Sequence, residues 1–322
     1  MNMRAEFRYQ SPQSSPDPSA GATAHQGTVI DSVNGHDVIA CECCGFIHVL
    51  PLPTPRSLEQ AYAQDYYESE KPSYLIHASE DERWARLSYD DRLAALSAEL
   101  PPARRRLLEI GSGPGLFLAR AEETGWTAIG IEPSRQAASF ARGRGLTIHN
   151  GFFDEALCGE LARSQPPFDA LHLMNVLEHV PDPAAILAQA ISLLAPGGAV
   201  CIGVPNDFNP LQRLLQHKRN MAPWWIAPPH HLNYFTFETL EGLLRRLGLD
   251  IRGRLTSFPM ELFLALGRNY VGNEALGREC HGLRKDFDLD LAALDARARH
   301  AFYQALAQAG FGREAIVVAV KP

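Results

Sequence analysis

Leu107-Leu-Glu-Ile-Gly-Ser-Gly-Pro-Gly-Leu-Phe117 is a short apolar run that passes directly into three glycines at alternate positions. An apolar run of that length, stopped by glycine, reads as a buried strand. Gly111, Gly113 and Gly115 let the backbone turn tightly and approach a ligand closely. The helix that begins there presents N–H groups without intrahelical partners. In open α/β sheets such a junction lies at the carboxyl end of a strand, where ligands bind. The spacing narrows the ligand further. A dinucleotide loop reads Gly-x-Gly-x-x-Gly, with the last glycine allowing close packing beside a pyrophosphate. Here that place is Leu116.

Working outward, the next strand ends in Ile129-Gly-Ile-Glu132. A carboxylate there accepts hydrogen bonds from two ribose hydroxyls, at about 1.5–3 kcal/mol for each charge-assisted bond. Strands are predicted over 106–110, 127–132, 146–149, 168–174 and 198–204, with helices near 115–124, 134–143, 155–163 and 183–194. This alternation predicts a Rossmann-like, doubly wound α/β fold with helices on both faces of a parallel sheet. The pattern lapses over 206–235, which carries Trp224-Trp225 and His230-His231, and resumes with a helix at 236–247 and a strand at 249–257. Residues 258–313 read as largely helical and 314–320 as the last strand.

Upstream, residues 1–27 read as a disordered tail rich in Ser and Pro, and 28–80 as a small N-terminal subdomain or lid. The subdomain contains Val38-Ile-Ala40, Phe46-Ile-His-Val-Leu50, a helix starting at Ser57 and the pair Tyr66-Tyr67. The α/β core would span 81–257 plus 314–322, with 206–235 and 258–313 as substrate-side insertions.

A hydrophobic fraction of 46% over 322 residues supports a sizeable core. The net charge of -7 argues against a nucleic-acid partner, which calls for a basic face. No apolar run approaches the roughly 20 residues of a membrane span, and the polar N-terminus has no signal-peptide core, so a cytoplasmic location is expected. The sequence does not fix an oligomeric state.

Taken in order, these motifs resemble class I S-adenosylmethionine-dependent methyltransferases. The stretch 107–117 resembles their first motif, and Gly130-Ile-Glu-Pro-Ser134 their second. Gly151-Phe-Phe-Asp154 lies where the family binds adenine, and Phe168-Asp-Ala-Leu-His-Leu-Met-Asn-Val-Leu-Glu-His-Val-Pro-Asp-Pro183 is similar to their fourth motif. Leu193-Leu-Ala-Pro-Gly-Gly198 matches the turn before their fifth strand. The resemblance implies a seven-stranded sheet whose last strand is antiparallel, with S-adenosyl-L-methionine as cofactor. It places Glu109, Gly111, Gly113, Gly115, Glu132, Asp154 and Asn175 at the cofactor; Asp154 serves equally well as a helix N-cap.

The reaction it implies is attack of an acceptor nucleophile on the sulfonium methyl, with the protein mainly positioning the reactants. The acceptor is expected to be a small molecule or glycan, methylated at a hydroxyl oxygen, with nitrogen or carbon as the alternative nucleophile. His179 is the first candidate for the base, and His230 and His231 the second. Each has a purely structural alternative. A nicotinamide enzyme on a similar sheet, disfavoured by Leu116, and a non-catalytic cofactor-binding scaffold are the competing readings. Gly45-Phe-Ile-His-Val-Leu-Pro51 and Tyr66-Tyr67 resemble lid segments of a subgroup associated with surface-polysaccharide biosynthesis.

Cys41-Glu-Cys-Cys-Gly45 contains the Cys-x-x-Cys-Gly turn of a zinc knuckle, but a structural zinc needs four ligands. No second cysteine pair lies upstream, only His25 and His36, so the expected hairpin carries no metal.

Overall fold

A computed structural model describes residues 6–8, 25–53 and 80–322. The predicted helix at Ser57 and the pair Tyr66-Tyr67 lie outside these residues. Glu6–Arg8 (β1), inside the stretch read as a tail, pairs antiparallel with Gln26–Val33 (β2). His36–Cys41 (β3) and Ile47–Leu50 (β4) continue that small sheet. β2 and β3 are joined through Asn34 and Gly35, both with positive φ (52° and 79°). This is the two-residue turn whose twist suits a hairpin, and Asn-Gly is its preferred sequence.

Glu82–Ala98 (α1) leads into the main sheet. Its parallel strands are Arg106–Ile110 (β5), Thr127–Glu132 (β6), Ile148–Asn150 (β7), Phe168–Met174 (β8) and Leu194–Pro205 (β9). The helices between them are Leu116–Glu123 (α2), Arg135–Gly143 (α3), Glu155–Ser164 (α4) and Pro183–Ser192 (α5). Their starts are fixed locally. Ser134, Asp154 and Asp182 each accept a bond from a first-turn N–H, and Pro183 presets the first residue of α5. β9 is longer than expected: the Pro196-Gly197-Gly198 turn lies within it, and its pairing with β8 shifts register between Phe168 and Ala170.

Beyond β9 come Pro210–Arg219 (α6), the two-residue Asn233–Tyr234 (β10), Phe237–Arg246 (α7) and Asp250–Leu255 (β11). The insertion is helical as expected, with Glu261–Ala265 (α8), Glu274–Leu294 (α9) and Ala296–Gln308 (α10), and Glu314–Val320 (β12) follows it. The main sheet has seven strands in the order β11-β12-β9-β8-β5-β6-β7, with β12 antiparallel to both of its neighbours. Leu107, Leu108, Leu171, Leu173, Val200 and Ile202 are fully buried at its centre. A sheet covered on both faces needs such unbroken apolar strands. No helix among the described residues is long and apolar enough to cross a membrane.

The insertion 206–235 has a use that the sequence did not disclose. β10 pairs with β4, extending the small N-terminal sheet to five strands. Trp225, Ile226, Leu232 and Tyr234 pack against Val38 and Val49 in a common core.

Candidate cofactor and acceptor site

Strand order reverses between β5 and β8, and a cavity of about 1050 Å3 opens at their carboxyl ends. This is where a doubly wound sheet binds ligands. Of the residues predicted at the cofactor, Glu109, Gly111, Gly113, Glu132, Asp154 and Asn175 line the cavity.

Glu132 is held by the loop it faces. One carboxylate oxygen accepts from Gly113 N–H at 2.8 Å and the other from Ser134 N–H at 2.8 Å. Each oxygen keeps a lone pair for a further donor. Burial raises the Glu132 pKa, while the Ser134 and Gly113 N–H groups favour its ionised form. Phe152, Phe153 and Pro133 supply apolar wall on that side. Asp154 borders the cavity but spends one oxygen on capping Leu157 N–H at 2.8 Å.

Gly111 and Gly115 have structural reasons of their own. A Cβ on Gly111 would sit 2.5 Å from Val176 Cγ2, and one on Gly115 would sit 2.5 Å from Leu146 Cδ1 and 2.9 Å from Ala141 Cβ. Both have φ near +75°. Gly115 does not border the cavity; it lets the start of α2 pack against α3.

Glu109 is buried below the loop. Its Oε1 meets Nδ1 of His172 at 2.9 Å, and Nε2 of that ring receives Nη1 of Arg92 at 3.2 Å. Phe117 stacks on the His172 ring at 3.7 Å. Oε2 of Glu109 and the hydroxyl of Ser112 are buried without hydrogen-bond partners among the described residues. Unpaired buried polar atoms are costly, and these two border the cavity. These unpaired polar atoms, the Glu132 carboxylate and the apolar Phe152–Phe153 wall together suit an amino acid joined to a nucleoside, and the volume leaves room for a second small molecule.

The family model for the methyltransferase domain matches residues 82–252, more than half of the 322-residue chain. The chain belongs to the methyltransferase domain family. Its fold is that of a class I methyltransferase and its cofactor is S-adenosylmethionine. This methyltransferase is 31% identical over 148 residues to a ubiquinone biosynthesis O-methyltransferase of Xylella fastidiosa, covering 45% of this chain and 56% of the relative. It is 33% identical over 120 residues to the protein of that name in Methylococcus capsulatus, covering 36% of this chain and 49% of the relative. The match thus spans about half the length of these curated relatives. Among solved structures, it is similar to the magnesium protoporphyrin IX methyltransferase of Synechocystis with bound SAH, at 14% identity and a TM-score of 0.48, covering 80% of this chain and 98% of the other.

The three candidate histidines of the methyltransferase come together, but only His179 borders the cavity. Its Nδ1 lies 2.7 Å from the carbonyl of His230, so Nδ1 donates, and its Nε2 lies 3.7 Å from Oε1 of Glu178. The ring of His231 packs edge-on at 5.0 Å. His230 therefore meets the site through its backbone, and His231 through ring packing. The ligand atoms of Glu178, His179 and His231 all lie within 4.8 Å of one another. Asn175 has φ +54° and donates its N–H to Gly203 O at 2.9 Å, fixing the turn that leads to His179.

The far wall comes from α1, α9 and α10. Trp84 Nε1 donates to Asp288 Oδ2 at 2.8 Å, and the Tyr303 hydroxyl donates to the other oxygen of Asp288. Arg284 lies 4.6 Å over the Trp84 ring and donates to Nδ1 of His281 at 2.9 Å. His281 in turn faces Asp81 at 2.8 Å. Burial lowers the Arg284 pKa. Within 258–313, read from the sequence as a substrate-side insertion, Arg284 borders the cavity, whereas Phe258, Arg268, Asn269 and Tyr270 do not. Trp84, His281, Asp288 and Tyr303 were missed. His281, Arg284 and Asp288 do recur at helical spacing, which is the signal that they share a face.

Proposed function

We propose that the protein transfers the methyl group of S-adenosylmethionine to a hydroxyl oxygen of a small acceptor, with His179 as general base. The observation that carries this reading is the position of His179 in the cavity wall, with Nδ1 tied to the His230 carbonyl. That bond holds the ring in one orientation and leaves Nε2, 3.7 Å from Oε1 of Glu178, as the nitrogen that takes the proton. When bound, the cofactor supplies an activated methyl group on a sulfonium. Glu132 and the Gly111–Gly113 loop hold its nucleoside side, and Asp154 serves both the helix and the adenine. His179 removes the hydroxyl proton as the acceptor oxygen attacks.

The wall built from Trp84, Arg284 and Tyr303 receives the acceptor, so the insertion 258–313 acts as its substrate side. An aromatic face beside a desolvated guanidinium suits a ring that bears an anionic group. The named activity of the relatives, O-methylation in ubiquinone biosynthesis, agrees with a hydroxyl acceptor. The polysaccharide reading of the N-terminal segments gains no support from those relatives.

The test is a methyl-transfer assay on phenolic and sugar hydroxyls, with His179→Ala beside the wild type. A base predicts a loss of turnover of about 10²–10⁴-fold with unchanged cofactor affinity by calorimetry. Unchanged turnover would remove His179 from the chemistry, and absence of S-adenosylmethionine binding by the wild type would remove the reading altogether.

A further inference from the structure

The N-terminal sheet holds a second cluster, remote in sequence from the methyltransferase motifs. His25 lies just before β2, Cys41 ends β3, Cys44 follows in the turn, and His48 is in β4. One ligand atom from each of the four lies within 4.8 Å of all the others. We propose that His25, Cys41, Cys44 and His48 bind a structural zinc ion.

The distances carry the argument. With zinc–sulfur bonds of about 2.3 Å and zinc–nitrogen bonds of about 2.0–2.1 Å, the sulfur–nitrogen edges of a tetrahedron are about 3.6 Å. Nδ1 of His25 lies 3.7 Å from Cys41 Sγ and 3.4 Å from Cys44 Sγ. These values match such edges.

His48 supplies an independent observation. It is only 2% exposed, and its Nε2 has no hydrogen-bond partner among the described residues. Its Nδ1 lies 3.0 Å from the Val49 carbonyl, so Nδ1 carries the proton and Nε2 a lone pair. This is the outer hydrogen bond that orients metal-bound histidines. A buried imidazole nitrogen with nothing to accept from costs about 1–3 kcal/mol, and a metal ion removes that cost. The turn is shaped to match. Cys44 N–H points at Cys41 Sγ at 3.5 Å, Gly45 has φ +74° and donates to the Cys41 carbonyl at 3.0 Å, and Arg246 donates to the Cys44 carbonyl at 2.5 Å.

Two sulfurs and two imidazoles in a tetrahedral arrangement select zinc. Four protein ligands leave no open position, so the ion is structural and takes no part in methyl transfer. Counting ligands upstream of the cysteines offered His25 and His36. The fold separates that pair, since His36 sits at the Pro51 carbonyl at 3.0 Å, and brings in His48 from downstream. The ion ties together the ends of three strands. It also braces the wall of the cavity, because β4 pairs with β10, and the N–H groups of Leu232 and Asn233 donate to the Glu178 carbonyl beside His179.

The experiment uses the full chain, expressed with added zinc and analysed for metal after gel filtration. One zinc per chain is expected. Replacement by cobalt should give a thiolate-to-cobalt charge-transfer band, which a site made of Glu178, His179 and His231 cannot produce. His48→Ala and Cys44→Ser should lose the metal, and Cys43→Ser should keep it. His48→Cys, which restores a fourth ligand, should keep it with a stronger charge-transfer band, a gain that an unfolded chain would not give. Wild-type protein without zinc and without that band, or His48→Ala with undiminished zinc, would overturn the proposal.

Discussion

Nδ1 of His172 lies 2.9 Å from Oε1 of Glu109, in the floor of the cofactor site. Arg92 approaches the other ring nitrogen at 3.2 Å, so that nitrogen accepts and Nδ1 donates to Oε1 of Glu109, whose pKa burial raises well above its usual value. A neutral imidazole thus separates a buried acid from a buried guanidinium. Burial pushes the His172 pKa well below its usual value, which keeps the ring in that bridging form. His172→Ala should destabilise the fold by about 3–5 kcal/mol, because it removes a buried ring and leaves the buried Glu109 acid and Arg92 guanidinium without that partner. Urea unfolding of wild type and variant measures this, and a loss under about 1 kcal/mol would contradict the bridge.

Glu132→Gln should weaken S-adenosylmethionine binding by about ten- to a hundredfold, from the loss of charge-assisted bonds to the ribose. The carboxamide keeps the shape, and its oxygen still accepts one of the two loop N–H groups. The melting temperature without ligand should therefore move much less than the affinity. Calorimetry and thermal unfolding on the same preparations separate the two.

Gly115→Ala should act in the opposite sense. The residue has φ +75°, and its new Cβ would lie 2.5 Å from Leu146 Cδ1 and 2.9 Å from Ala141 Cβ. Left-handed strain and overpacking together cost about 2–4 kcal/mol. Stability should fall while the protein that remains folded binds the cofactor normally. A selective loss of affinity with unchanged stability would instead put Gly115 at the ligand.

Asp207, fully buried at the start of the 206–235 insertion, has its pKa raised from 3.8 to about 8 by burial and then by the nearby Glu261. The folded chain therefore keeps a proton that the unfolded chain has released. The stability this provides is complete below about pH 3.8 and is lost as pH rises through 8. Asp207→Asn should remove that slope and leave the variant more stable than the wild type at pH 8, by on the order of a few kcal/mol. Thermal unfolding between pH 5 and pH 9 checks it, and parallel curves for the two proteins would refute it.

Arg284→Leu should raise the KM for the acceptor by about tenfold or more while sparing cofactor affinity, since Arg284 borders the cavity from α9 and stacks over Trp84. Steady-state kinetics with each substrate varied in turn distinguishes the two effects.

The sequence by itself determined what short-range physics controls. The run 107–117 announces a strand, a left-handed glycine turn and a helix start within eleven residues, and the strands and helices of the main sheet recur with the expected spacing. β2 has no fully buried residue, so its weak alternation gave no strand signal, and the Asn34-Gly35 turn that pairs it with β3 was not read from the sequence. What only the tertiary structure decided are the contacts between distant parts of the chain. Trp84 finds Asp288 across 204 residues, and His179 finds the His230 carbonyl across 51. His25 meets Cys44 only because β2 and β3 fold back on each other. Periodicity and backbone propensity act over a few residues, whereas side-chain pairs of this kind depend on sheet order and register, which no local pattern encodes. The methyl donor was therefore readable from one loop and its neighbours, while the acceptor wall and the cysteine–histidine cluster had to wait for the fold.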